Sequence, residues 1–197
     1  MTAAGPVAPG VLETRRLLLR PWAPRDRVPF AALNADPEVM RYFPATLDRA
    51  GSDALIARIE ARRDEAGFGF AVAERKADGA FVGMVGLGRM PMPEVPRIDG
   101  AVEVGWRLAR AHWGAGYATE AAGAWMDWGF AALGLDEIVA ITVPANRRSQ
   151  AVMRRLGMEE EPEGRFEHPA LPARSPLRQH VLYRIDHERW RGATATG

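Results

Sequence analysis

The residues of this chain best placed to do chemistry lie in one stretch, Arg110-Ala-His-Trp-Gly-Ala-Gly-Tyr-Ala-Thr-Glu-Ala121. An apolar, strand-like run, Ala101-Val-Glu-Val-Gly-Trp-Arg-Leu108, precedes it. A helix-like run follows to Leu133, with Gly134 placed as its stop. A strand, a glycine turn and a helix start make an anion site. The first backbone N–H groups of a helix lack intrahelical partners and lie at the positive end of its dipole. Gly114 and Gly116 let the backbone approach a phosphate with no side chain in the way. The chemistry that this spacing offers is therefore the holding of a phosphate-bearing ligand. Cysteine is absent, which removes disulfides, thiolate metal sites and a cysteine nucleophile.

The elements that must position this turn can be read from periodicity. Leu12 to Trp22 forms a strand candidate, Pro24 to Asn34 a short helix with a second helical turn after Asp36-Pro37, and Met40 to Pro44 an aromatic loop. Ser52 or Asp53 can cap a helix running to Ala66. Phe68 to Glu74 and Phe81 to Leu87 alternate as strands around the turn signal Ala77-Asp-Gly79. Arg89 to Asp99 carries three prolines and reads as a loop. Downstream of the glycine turn, Ala118, Ala121, Ala122, Trp125, Gly129, Ala132 and Leu133 share one helix face. Ile138 to Val143 is continuously apolar, as a central strand covered on both faces is. Asn146 opens a short helix to Leu156, with Gly157 as its C-cap. Ser149, Val152, Met153 and Leu156 fall on one face of that helix, and Arg147, Arg148, Arg154 and Arg155 on the other. Met158 to Phe166 and Arg178 to Ile185 are the last strands, with a Pro-rich loop from His168 to Pro176 between them.

With 197 residues the chain suits one domain, 11–192, between flexible ends 1–10 and 193–197. The formal net charge of +1 argues against nucleic acid or an anionic membrane as partner. No apolar run approaches a membrane span and no signal-peptide core opens the sequence, so a cytoplasmic location is expected.

Three phosphate-binding readings compete for the glycine turn. A P-loop needs Gly-Lys-Ser/Thr after its glycines, and none is present. A dinucleotide fingerprint places Gly114 and Gly116 correctly, but Asp136 comes at the start of the next strand instead of at its end. In the third reading, Trp113-Gly-Ala-Gly-Tyr-Ala118 between a strand and a helix resembles motif A of the GNAT superfamily of acyl-CoA N-acyltransferases. Gly116 and Ala118 match the last two fixed positions of Gln/Arg-x-x-Gly-x-Gly/Ala, and Trp113 replaces the usual Gln or Arg. Glu13-Thr-Arg-Arg-Leu-Leu-Leu-Arg20, Glu103-Val-Gly-Trp106 and Asn146-x-x-Ser149 leading to Leu156-Gly157-Met158 are similar to the Rim-type branch, which holds ribosomal-protein N-terminal acetyltransferases.

The resemblance implies acetyl-CoA as co-substrate, with no metal. It implies that backbone groups of Trp113, Gly114, Ala115, Gly116, Ala118 and Thr119 hold the CoA pyrophosphate. The strand end at Trp106 and Leu108 would pair with the pantetheine arm and offer an N–H to the thioester oxygen, an oxyanion donor fixed before reaction. Gly105 in mid-strand suggests a bulge that splays the sheet. Asn146 looks like the family's pantetheine-binding asparagine, set against a plain helix N-cap. Ser149 looks like its thiolate-side hydroxyl, set against a capping hydroxyl. Glu103 is the candidate general base for an α-amine of pKa about 7.7–8.0; a surface ion pair with Arg107 is the competing reading. His112 and His180 are lesser candidates. The arginines of the Asn146 helix are set between the CoA 3′-phosphate and solvent, and Tyr42, Phe43 and the His168 loop would wall the acceptor pocket.

The fold expected is α/β (α+β): one GNAT-like domain with a twisted, mostly antiparallel sheet splayed at the cofactor and helices on both faces. The function expected is acetyl-CoA-dependent N-acetyl transfer to a primary amine by direct attack in a ternary complex. A protein N-terminal α-amine leads as acceptor, a small-molecule or antibiotic amine stands beside it, and a non-catalytic acyl-CoA-binding module is the rival from another class. A homodimer is a family-level expectation.

Overall fold

A computed structural model describes residues 10–195. The stretch 1–9, expected to fray, and residues 196–197 lie outside it. The elements are β1 (Leu12–Glu13), β2 (Leu17–Arg20), α1 (Arg27–Ala35), α2 (Arg49–Ala66), β3 (Phe70–Arg75), β4 (Phe81–Arg89), β5 (Val102–Leu108), α3 (Tyr117–Leu133), β6 (Glu137–Thr142), α4 (Arg147–Arg155), β7 (Glu159–Glu160), β8 (Phe166–Glu167), β9 (Gln179–Asp186) and α5 (His187–Ala195). Single 3-10 turns at Pro24–Asp26 and Arg110–His112 precede α1 and the glycine turn. Among the described residues no helix is long and apolar enough to cross a membrane.

Several boundaries differ from those expected, each for a local reason. The cap of α2 is Asp48, whose Oδ1 accepts from the Gly51 N–H at 2.7 Å. Ser52 is fully buried instead and accepts from Asn34 Nδ2 at 2.9 Å. The single strand expected from Leu12 to Trp22 is two pieces, because Thr14 N–H turns back to Leu17 O. The strand expected from Met158 to Phe166 breaks into β7 and β8 where Gly164 N–H closes a turn on Glu161 O. On α3 the small residues do lie close on the sheet: a Cβ at Gly129 would stand 2.7 Å from Leu87 Cδ1. Ala132, expected on that face, is exposed.

The sheet runs β1-β2-β3-β4-β5-β6-β9-β7, with β8 added to β9. Every neighbouring pair is antiparallel except β5 and β6, which run parallel and share one register pair, Glu103↔Val139. Beyond that pair β5 continues to Leu108 with no strand on that side. The splay is therefore present, but the bulge expected at Gly105 is not, since β5 pairs with β4 in unbroken register from Val102 to Leu108. Gly105 serves another purpose: a Cβ there would meet the Phe70 ring at 2.9 Å.

Leu19, Val85, Val104, Leu108, Ala121, Trp125 and Met153 belong to the large core between the sheet and the α3, α4 and α5 side. The opposite face is covered in two separate pieces. Phe30, Leu33, Ile56, Ile59 and Met84 form one cluster under α1 and α2. Met90, Met92, Val95, Ile98, Val139 and Leu182 form the other, under the 90–98 segment. Between these two covers runs β5, presenting Glu103, Gly105 and Arg107 by period-two alternation.

Candidate active site

Two sheet edges and two helix starts meet where β5 leaves β6. The Ala109 N–H donates to Val82 O at 2.9 Å. In the antiparallel register this makes the odd-numbered residues of β5 bond to β4 and turns the even-numbered ones the other way. The backbone N–H and C=O of Trp106 thus face the side from which β6 has departed. Leu108 faces the same way, but its carbonyl already accepts from Trp113 Nε1 at 2.9 Å, and its side chain is buried in the core.

The glycine turn has the conformation its sequence predicts. Gly114 and Gly116 take φ of +76° and +80°, and Gly116 is the N-cap of α3. Gly114, Ala115 and Gly116 are exposed. Among the described residues the backbone N–H groups from Gly114 to Thr119 donate to no protein acceptor, whereas the Glu120 N–H closes the first helical turn onto Gly116 O at 3.1 Å. The result is a run of converging donors at the positive end of a 17-residue helix.

Three side chains fix this cradle, and sequence reasoning assigned none of them that task. Trp113 ties the turn to the end of β5 through its indole and carries the Arg148 guanidinium over its ring at 4.6 Å. Glu120, in the first turn of α3, accepts from Thr14 Oγ1, Arg16 N and Arg16 Nε at 2.6–2.7 Å. Arg16 also covers the Tyr117 ring at 4.5 Å, and a Cβ at Gly116 would stand 3.3 Å from its Nη2. The Thr-Arg-Arg segment was visible as a family feature; its partner, more than a hundred residues away, was not.

Asn146 is the N-cap of α4: its Oδ1 accepts from the Ser149 N–H at 3.2 Å. Its Nδ2 donates to Thr142 Oγ1 and to Ser149 Oγ, both at 3.0 Å. The capping reading is thus realised, and it leaves the Ser149 hydroxyl proton free for another acceptor. Arg148 reaches the glycine turn, while Arg154 donates to the Tyr183 hydroxyl at 2.9 Å on the far side.

The Glu103 carboxylate makes no ion pair or hydrogen bond among the described residues. The pairing with Arg107 weighed from sequence is absent: Arg107 Nη1 donates to Asn34 Oδ1 at 2.6 Å, and its guanidinium lies 4.0 Å over the Phe43 ring. Burial pushes the Glu103 carboxyl from 4.5 up to about 7, opposed only in part by the Arg62 charge. Tyr42 donates to Ala145 O at 3.1 Å, so the aromatic loop reaches the turn before α4. His180 lies beside Phe166 and His168, with ring centroids 5.7 and 5.0 Å away, and burial holds both histidines below their usual range. His112 meets Tyr117 edge-on at 6.2 Å and is likewise lowered by burial.

Comparison with known proteins agrees with this geometry. The sequence profile of the acetyltransferase (GNAT) domain matches residues 16–159. An Aspergillus fumigatus protein named FsC-acetyl coenzyme A-N(2)-transacetylase is 33% identical over 186 residues, 91% of this chain and 77% of that protein. The crystal structure of an acetyltransferase from Agrobacterium tumefaciens superposes with a TM-score of 0.73 at 28% identity, covering 95% of this chain and 100% of that one. Mycobacterium smegmatis RimJ, solved with CoA-disulfide, gives 0.72 at 23% identity over 95% and 94% of the two chains. At that identity the likeness is one of fold.

Proposed function

The chain belongs to the GNAT acetyltransferase family, and on that premise we propose that it moves an acetyl group from acetyl-CoA to a primary amine by direct attack in a ternary complex. The observation that carries this reading is the opening of β5 from β6 just beyond Glu103, a carboxyl balanced between its two protonation states near neutral pH.

Exposed glycines and unpartnered N–H groups fit a pyrophosphate at Gly114, Ala115, Gly116, Ala118 and Thr119, whereas the Trp113 N–H expected to join them already donates to Arg110 O at 3.1 Å; the free edge at Trp106 fits an extended amide-bearing arm. Acetyl-CoA would supply the thioester whose carbon–sulfur bond breaks as the carbon–nitrogen bond forms. The Trp106 N–H is set to support charge on the carbonyl oxygen. Glu103 takes the proton that the attacking amine loses, directly or through one water. Ser149, whose Oγ already accepts from Asn146, has its own proton free to meet the leaving thiolate. Asn146 orients that hydroxyl and Thr142.

For the acceptor, the leading reading is a protein N-terminal α-amine, supported by the Rim-like segments at Glu13–Arg20 and Glu103–Trp106. A small-molecule amine stands beside it, and the Aspergillus fumigatus relative bears a name that places its transfer on an N(2) position. Thiol release from acetyl-CoA, measured with a panel of peptides and small amines, tests the proposal. Tight CoA binding with no turnover on any acceptor would replace it with the acyl-CoA-binding module.

A further inference from the structure

Arg107 is enclosed yet faces no acid. It projects from the same face of β5 as Glu103, one residue past Trp106, in the lane between the two covers of the sheet. Its Nη1 is held by Asn34 Oδ1 at 2.6 Å. Asn34 is itself fully buried and is steadied by an equally buried Ser52. Phe43 covers one face of the guanidinium at 4.0 Å. Among the described residues no carboxylate lies within ion-pairing distance of it, and its Nε is buried without a partner.

Arg20 shows how this fold treats an enclosed arginine of purely structural use: Asp26 and Glu74 pair with it at 2.7 and 2.6 Å. At Arg107 that compensation is missing. Burial lowers the guanidinium only to about 10, so it remains a cation at neutral pH. An enclosed cation held by a buried amide, with no protein acceptor for its Nε or Nη2 among the described residues, lacks the anion that a guanidinium of this kind pairs with through charge-assisted hydrogen bonds.

We propose that Arg107 recognises the acceptor, and that this site selects primary amines carrying a carboxylate close to the amine. The inference rests on the reading above that the lane over β5 receives the amine. It goes further by naming the chemistry of the group beside that amine. Trp106 sets where the carbonyl oxygen lies, and Arg107 follows it by one residue, about 3.3 Å along the strand. Glu103, four residues back at roughly 13 Å, is too far along the strand to serve as the missing anion. Two sources can supply the group: the α-carboxylate of a free amino acid, or the side chain of an Asp or Glu at a peptide N-terminus.

The test is calorimetric titration of CoA-loaded protein with matched pairs that lack a free amine, so that amine basicity does not enter. N-acetyl amino acids against their carboxamides probe the first source. N-acetylated peptides beginning with Asp or Glu, against Asn or Gln counterparts, probe the second. At least one pair is expected to favour the carboxylate by roughly tenfold, the factor that a charge-assisted hydrogen bond carries. Arg107→Gln should bring that ratio near one. Asn34→Asp should do the same by supplying an internal carboxylate to the guanidinium, and it decides the matter if the first variant does not fold. A ratio near one for every pair in the native protein, absent binding by every carboxylate included, overturns the proposal. So does a preference that survives both substitutions. Thiol release keeps the two readings apart. Carboxylate preference without turnover on any amine would sink the transferase reading alone, and turnover on amines with no carboxylate preference would sink this one alone.

Discussion

Replacing Glu103 by Gln separates two consequences of one physical fact, the burial of an acid that lacks an ionic partner. In the unfolded chain this carboxyl titrates near 4.5, and in the folded protein near 7. Between those values the folded state keeps a proton that the unfolded state has released. Stability therefore falls as pH rises from 4.5 through 7, and is level on either side. The full interval corresponds to about 3 kcal/mol. The carboxyl is crowded by protein, but the side chain keeps a partial solvent edge, and water at that edge screens the penalty to roughly 1–3 kcal/mol. Gln has no charge to bury. Urea unfolding should find Glu103→Gln more stable than the native protein by that amount at pH 8, and level with it at pH 4. Activity should move the opposite way. At pH 7.5, kcat/KM for thiol release with the best acceptor should fall by about 10²- to 10⁴-fold, the usual contribution of a positioned base. The acid limb near pH 7 should disappear from the profile, leaving the amine's own titration. Equal stability at pH 8 would refute the burial argument, and an unchanged kcat/KM with the acid limb intact would refute the base.

Two further substitutions probe the frame around that carboxyl. Gly116→Asp puts a carboxylate at the N-cap of α3 in a left-handed conformation of φ +80°, and CoA affinity should fall at least tenfold by calorimetry; a folded variant with native affinity would remove the turn from the cofactor site. Gly86→Ala would place a Cβ 2.5 Å from the Gly69 carbonyl oxygen and the Phe70 Cα, and should cost about 2–3 kcal/mol in urea unfolding; a loss below 0.5 kcal/mol would mean that β3 and β4 are less tightly set than described.

Local signals carried far in this chain. The strand–turn–helix from Val102 to Leu133, its stop at Gly134, the Ala77-Asp-Gly79 turn and the Asn146 helix depend on neighbours in sequence, and all are found in the structure. The likeness to the GNAT family rested on the same segments and is borne out. Contacts between distant residues left no trace in periodicity. Arg107 meets Asn34 across 73 positions, so the only partner the sequence reading could weigh for it was Glu103, on the same face. Gly105 looked like a bulge because glycine in a strand has two uses, and only the place of Phe70 decides for close approach. The helix α5 escaped because Trp190 is the one large apolar residue from His187 to Ala195, too little to make a periodic face. Its start is set by Asp186, which accepts from the Arg189 N–H at 2.8 Å.

The Glu120 latch has a consequence for the order in which the molecule is made. Its three donors come from Thr14 and Arg16, which leave the ribosome 106 and 104 residues ahead of their acceptor. Until α3 has emerged, the first hairpin has no carboxylate to close upon. Until that closure, the glycine turn lacks the support that Thr14 and Arg16 give it through Glu120. At about 5–20 residues per second the delay amounts to some 5–20 seconds. A nascent chain thus carries Thr14 and Arg16 without this acceptor through more than half of its synthesis, although β3 can already pair with β2, and the glycine turn itself arrives with the second half. A fusion or truncation that disturbs residues 14–16 should therefore be felt at the turn near residue 116, a hundred positions downstream.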